Sequence, residues 1–135
     1  MKIVIDANVL FRTLISSGSI LDVIFHPSLT IYAPYQLKTE FFNHREELIS
    51  KSHISFDSFR IITDEIFKKI IFVDRKKYEK YISKANVLLK DHAKDEDFIA
   101  LCMLENCKLW TYEKRLISIG FGMSTRELLL YLEKK

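Results

Sequence analysis

Short runs of β-branched and apolar residues alternate with stretches of helical periodicity along the whole chain, and that alternation restricts the fold more than any other feature. Ile3-Val4-Ile5 is the first such run, with the composition of a strand buried on both faces. Leu29-Thr30-Ile31-Tyr32-Ala33, Ile70-Ile71-Phe72-Val73 and Leu109-Trp110-Thr111 repeat it, and Gly120-Phe121-Gly122-Met123 offers an edge strand. Between them lie helical patterns. Val9, Leu10, Leu14 and Ile15, then Ile20 to Phe25, predict two short helices divided at Ser16-Ser17-Gly18. Leu37, Phe41, Leu48 and Ile49 predict a long amphipathic helix over 35–50 that Pro34 starts, and Phe59, Ile62, Ile66 and Phe67 predict another opening at Ser55. Tyr78, Tyr81, Ile82, Ala85, Leu88 and Leu89 mark a further helix to about Lys90. Phe98, Ile99, Cys102 and Met103 mark one from about Asp95 to Glu105. A short basic helix at 114–117 follows strand four, and Ser124-Thr125-Arg126-Glu127 has the form of a capping box ahead of a last helix.

Strands separated by helices favour an α/β fold: a three-layer arrangement with a mostly parallel central sheet of four to five strands, helices on both faces and right-handed connections. At 135 residues the chain is expected to form one compact domain over 1–135, burying roughly two thirds of its extended-chain surface. A hydrophobic content of 48% with only 3 Gly and 2 Pro excludes a disordered or collagen-like chain. The 21 Lys and Arg against 18 Asp and Glu leave a charge of +3, which tolerates an anionic partner without demanding one. Cys102 and Cys107 lie five apart, outside any zinc-finger or disulfide-framework spacing, and read as small buried fillers in a reducing compartment. The apolar start meets Asp6 too early for a signal peptide, and no stretch is long enough to span a membrane. A cytoplasmic protein with no membrane partner is the expectation.

In parallel sheets functional groups collect at the carboxyl ends of the strands. Asp6 ends strand one, Asn8 lies two residues on, and Glu113 follows strand four. Glu40 lies on a polar stripe of its helix with His44 and Glu47, away from Leu37 and Phe41. Asp95 opens the helix that leads into strand four, where the helix dipole favours a carboxylate. Four carboxylates from distant segments thus reach one edge. Clustered like charges of this kind call for cations, and hard oxygen donors select Mg²⁺ or Mn²⁺. Such ions lower the pKa of a bound water and stabilise a leaving oxygen at a phosphodiester, with no Ser or Cys nucleophile required. Each residue also has a bland reading: Asp6 and Asp95 as helix N-caps, Glu40 as a solvated helix residue, and His44 as a surface histidine outside the core set.

The chain resembles the PIN domains, metal-dependent ribonucleases that include VapC-like toxins of toxin–antitoxin pairs. The resemblance rests on Ile3-Val4-Ile5-Asp6-Ala7-Asn8-Val9-Leu10, on Ala33-Pro34 with Leu37 and Glu40, on Asp95-Glu96-Asp97-Phe98-Ile99-Ala100-Leu101-Cys102, on Leu109-Trp110-Thr111-Tyr112-Glu113-Lys114-Arg115-Leu116, and on the closing Ser124-Thr125-Arg126-Glu127-Leu128. It implies catalytic roles for Asp6, Glu40, Asp95 and Glu113, with Asp6, Glu40 and Asp95 as the ligands of Mg²⁺ or Mn²⁺ and Asn8 in support. The family's fourth position usually carries Asp or Asn, so Glu113 places its carboxylate one methylene further out. Asp97 is a supporting carboxylate that a regular helix would rotate by about 200° from Asp95. Arg12, Lys38, Lys94, Lys114 and Arg115 neighbour the acidic segments and are candidates for phosphate contact. The implied activity is cleavage of single-stranded RNA. The implied partners are the RNA, a cognate antitoxin covering the acidic groove, and a second copy in a homodimer. A degenerate module that binds RNA or protein without cleaving is the alternative, motivated by Glu113. A dehalogenase-type phosphatase would need a second Asp where Asn8 stands, and Gly18, Gly120 and Gly122 form no dinucleotide-binding loop after strand one.

Overall fold

The computed structural model describes residues 1–16, 18–90 and 95–133. Five strands, β1 (Lys2–Ile5), β2 (Thr30–Pro34), β3 (Ile70–Val73), β4 (Lys108–Trp110) and β5 (Gly122–Met123), form one sheet in the order β3-β2-β1-β4-β5. Every pairing is parallel: Val4 lies opposite Tyr32 and Leu109, Ala33 opposite Phe72, and Leu109 opposite Gly122. Ile3, Val4 and Ile5 have no exposure, which is why the first strand is apolar without alternation.

The helices are α1 (Ala7–Ser16), α2 (Ser19–Ile24), α3 (Gln36–Ser52), α4 (Phe56–Lys69), α5 (Arg75–Tyr78), α6 (Ile82–Leu89), α7 (Glu96–Glu105), α8 (Lys114–Ser118) and α9 (Thr125–Glu133). Six of them form two packed groups flanking the sheet, α7 with α5 and α6, and α1 with α3 and α4. The result is the expected three-layer α/β arrangement. The α7 helix lies directly on β1, β2 and β4. Asp97 through Cys102 are six consecutive buried residues, so α7 is covered all round rather than along one stripe.

Local signals account for most boundaries. Ser124 Oγ accepts from the Glu127 N–H at 3.1 Å while Glu127 Oε1 accepts from the Ser124 N–H at 3.3 Å, completing the capping box that opens α9. Ser55 caps α4 through the Ser58 N–H, and Asp74 caps α5 through the Lys76 N–H. Two expectations need correction. The further helix expected over 78–90 is broken by a 3-10 turn at Glu79–Tyr81, because Tyr78 is drawn inward to bond Asp97 and the following turn restores Ala85 and Leu89 to the buried side. The second strand runs one residue further than Ala33, since Pro34 still pairs with Val73.

Candidate functional site

Asp6 sits where β1 gives way to α1. Its N–H continues the sheet by donating to the Trp110 carbonyl at 3.0 Å, and its carbonyl accepts from Val9 and Leu10 at the start of α1. The chain therefore turns with the carboxylate at the carboxyl edge of the central strand, only 5% exposed. Thr111, the first residue past β4, donates its hydroxyl to Asp6 Oδ2 at 2.7 Å and accepts the Glu113 N–H at 3.0 Å. One hydroxyl thus joins two of the candidate acids. Burial pushes the Asp6 carboxyl up to about 6, with Asp95 and Glu113 adding repulsion and the Thr111 hydroxyl and Ala7 N–H opposing it.

Asp95 is buried at the N-cap position of α7, with backbone angles of φ −94° and ψ 0°. It is close enough to Asp6 to add repulsion to that carboxylate. Glu113 is half-buried at the N-cap of α8, close enough to repel Asp6 as well. Glu40 is half-buried on α3, where Gln36 Nε2 donates to its Oε1 at 3.0 Å. Asn8 is exposed on the first turn of α1. Asp97 turns elsewhere: Tyr78 Oη donates to Oδ2 at 2.6 Å and Arg75 approaches Oδ1 at 3.6 Å. The rotation expected between Asp95 and Asp97 is what separates these two environments.

The basic candidates divide. Arg12 lies over the Tyr112 ring, 4.7 Å from its centroid, and Lys114 and Arg115 are exposed at the start of α8. Lys38 instead covers Phe72 at 4.4 Å and Tyr35 at 5.3 Å, beside β3. Lys94 lies outside the described residues. His44 is exposed, its Nδ1 3.0 Å from the Glu40 carbonyl and its ring tilted against Phe11. Two depressions border the site. One of about 560 Å³ is lined by Asn8, Phe11, Arg12, Ile15 and Tyr112, the other, of about 430 Å³, by Asn8, Tyr112, Glu113, Lys114 and Arg115. They share Asn8 and Tyr112, giving an aromatic side and a cationic side to one groove.

No three His, Cys, Asp or Glu side chains among the described residues already converge closely enough to hold a metal ion. The chemistry of the donors nevertheless fits a hard divalent cation. Asp6, Asp95 and Glu113 offer oxygen only, and a buried carboxylate repelled by two neighbours is stabilised by a positive charge among them. Thr111, which periodicity marks only as the end of a strand, is a further residue of the site. Its signal was its place two residues before Glu113, the spacing at which a Thr hydroxyl takes the N–H two positions on.

The family model described as PIN domain matches residues 4–133. The chain belongs to the PIN-domain family. No curated protein matches it. PIN domains are in general nucleases acting on nucleic acid and typically use divalent metal ions. In this PIN domain no helix among the described residues is long and apolar enough to cross a membrane.

Proposed function

We propose that this PIN domain, taken as one unit over 1–135, is an endoribonuclease dependent on Mg²⁺ or Mn²⁺ that cleaves single-stranded RNA by metal-activated water. The observation that carries the reading is Asp6: buried, raised to about 6, and repelled by Asp95 and Glu113 at the carboxyl edge of the central strand. Asp6, Glu40 and Asp95 are the proposed ligands, with Glu113 as the fourth catalytic acid and Asn8 and Asp97 in support. A bound divalent ion supplies Lewis acidity, lowering the pKa of a water and offsetting charge on the phosphodiester.

The protein's own groups do the rest. Thr111 holds Asp6 Oδ2 in place and ties the Glu113 backbone to the same point. Asp97 anchors the first turn of α7 to Tyr78 and Arg75, which steadies Asp95 two residues earlier. Lys114 and Arg115 offer cations to RNA phosphates, joined by Lys38 at the periphery, with Lys94 a further candidate from the sequence. Arg12, Phe11 and Tyr112 offer flat surfaces on which an unstacked base can lie. Following the VapC resemblance, the protein acts in the cytoplasm as the toxin of a toxin–antitoxin pair, with an antitoxin covering the acidic groove and a homodimer as the assembly.

A second reading, an RNA-binding module without catalysis, is favoured by the longer Glu113 side chain and by the engagement of Glu40 with Gln36. Incubating the protein with mixed-sequence single-stranded RNA in Mn²⁺, Mg²⁺ or chelator separates the two. Metal-dependent cleavage lost in Asp6→Asn and Asp95→Asn supports the nuclease. Binding without cleavage in either metal, by folded protein, supports the module.

A further inference from the structure

On the opposite, amino-terminal side of the sheet, the end of α7 brings together two residues that their five-residue spacing alone leaves unrelated. Asn106 adopts the left-handed conformation, φ 53° and ψ 52°, and its N–H returns to the Cys102 carbonyl. The Cys107 N–H reaches the same carbonyl at 3.1 Å. This six-to-one closure after a left-handed residue is the helix ending that sets the side chain third from the helix end against the second one beyond it. Those two side chains are Cys102 and Cys107. Both thiols are free, Cys102 buried and Cys107 partly accessible. Both line a pocket of about 480 Å³ with Tyr81, Lys84, Lys108 and Phe121.

We propose that Cys102 and Cys107 form a reversible dithiol–disulfide site oxidised by peroxides, with Cys107 as the attacking thiol and Cys102 as the resolving one. The surroundings set the order. The hydrogen bond from Cys102 holds the Cys107 thiol below its ordinary pKa, helped by Lys2 and the Val4 backbone and opposed by burial and Glu105. Burial pushes the Cys102 thiol well above its ordinary value, which keeps it protonated. The Cys107 thiolate attacks one peroxide oxygen, the O–O bond breaks, and hydroxide leaves a sulfenic acid behind. Cys102 then gives its proton to that hydroxide while its sulfur displaces the sulfenic hydroxyl as a second hydroxide, which takes up the proton that Cys107 released on ionising. One S–S bond forms, two thiols are oxidised, and one peroxide becomes two waters. Catalysis on RNA uses neither sulfur, so the site stands apart from the proposed function.

Titrating the intact protein with hydrogen peroxide and alkylating the remaining thiols after unfolding tests the assignment. The expected result is loss of two alkylatable thiols together, recovered with dithiothreitol. Proteolysis after Glu105, which separates the two cysteines, should leave fragments joined until reduction. In Cys102→Ala, Cys107 should stop at a sulfenic acid that dimedone captures. Two thiols still alkylatable after peroxide, or oxidation of Cys107 with no link to Cys102 in the wild-type protein, would overturn the proposal. The wild-type measurement decides it even if the variant does not fold.

Discussion

Replacing Asp6 by Asn removes a charge that the metal-free fold accommodates at a cost, and the cost has a definite pH dependence. Asp6 is 5% exposed, and its pKa rises from 3.8 to about 6, chiefly through burial. A shift of roughly two units corresponds to about 3 kcal/mol between the neutral and charged forms. The folded pKa lies above the unfolded one, so the native state keeps the proton longer. The associated stability is complete below about pH 4, falls as pH rises through about 6, and is absent above that. Asn keeps an oxygen to accept from Thr111 Oγ1 and never ionises. In chelator, Asp6→Asn is expected to match the wild-type protein near pH 4 and to exceed it by about 3 kcal/mol near pH 7.5. Urea unfolding followed by circular dichroism at a series of pH values measures the difference, and pairing variant with wild type at each pH cancels every other titrating group. A difference that does not change across this range refutes the argument that Asp6 is buried as a strained carboxylate.

Adding Mn²⁺ at neutral pH should raise the unfolding free energy of the wild-type protein by about 2.7 kcal/mol at a hundred times the dissociation constant, and leave Asp6→Asn nearly unmoved; equal shifts in both would place the ion elsewhere. Thr111→Val keeps the shape but strands Asp6 Oδ2 and the Glu113 N–H, costing about 1–3 kcal/mol in the same unfolding assay and carrying the Asp6 titration to higher pH. Tyr78→Phe removes the 2.6 Å bond to Asp97 and should cost about 1.5–3 kcal/mol, and a cost near zero would show that Arg75 suffices. Gly122→Ala would put a methyl 2.8 Å from Thr111 Cγ2 and 2.9 Å from the Ile117 backbone nitrogen, a loss of about 1–3 kcal/mol. Adding Thr111→Ser should recover only part of that loss by thermal melting, because the clash with the Ile117 backbone stays.

The α/β class was legible because the signals that define it are local. Ile3-Val4-Ile5 is apolar at every position because the strand is covered on both faces, and Ser124 with Glu127 names its own helix start. Much of what stayed hidden depends on partners far along the chain, and the rest on local backbone or rotamer choices. The break after Tyr78 follows from a bond to Asp97 nineteen residues on, which no window of periodicity contains. Thr111 draws its importance from Asp6, 105 positions away. Asp6 and Asp95 stand out as carboxylates ending or opening elements, yet composition could not reveal that Gln36 engages Glu40 or that Lys38 covers Phe72. The meeting of Cys102 and Cys107 needed the left-handed turn at Asn106, a backbone choice that spacing alone leaves open.

The bond from the Asp6 N–H to the Trp110 carbonyl and the reach of Thr111 to Asp6 also order events in time. The central strand and its β4 neighbour are far apart in the chain, Val4 pairing with Leu109 and Asp6 bonding Thr111, 105 positions on, so the pairing waits on a long loop. Until then Asp6 has neither its hydroxyl partner nor Glu113 beside it. Closing so long a loop is among the slower steps of folding. The acids at the carboxyl edge of β1 and β4 therefore come together only once that loop has closed, so the site is among the last parts of the fold to take shape.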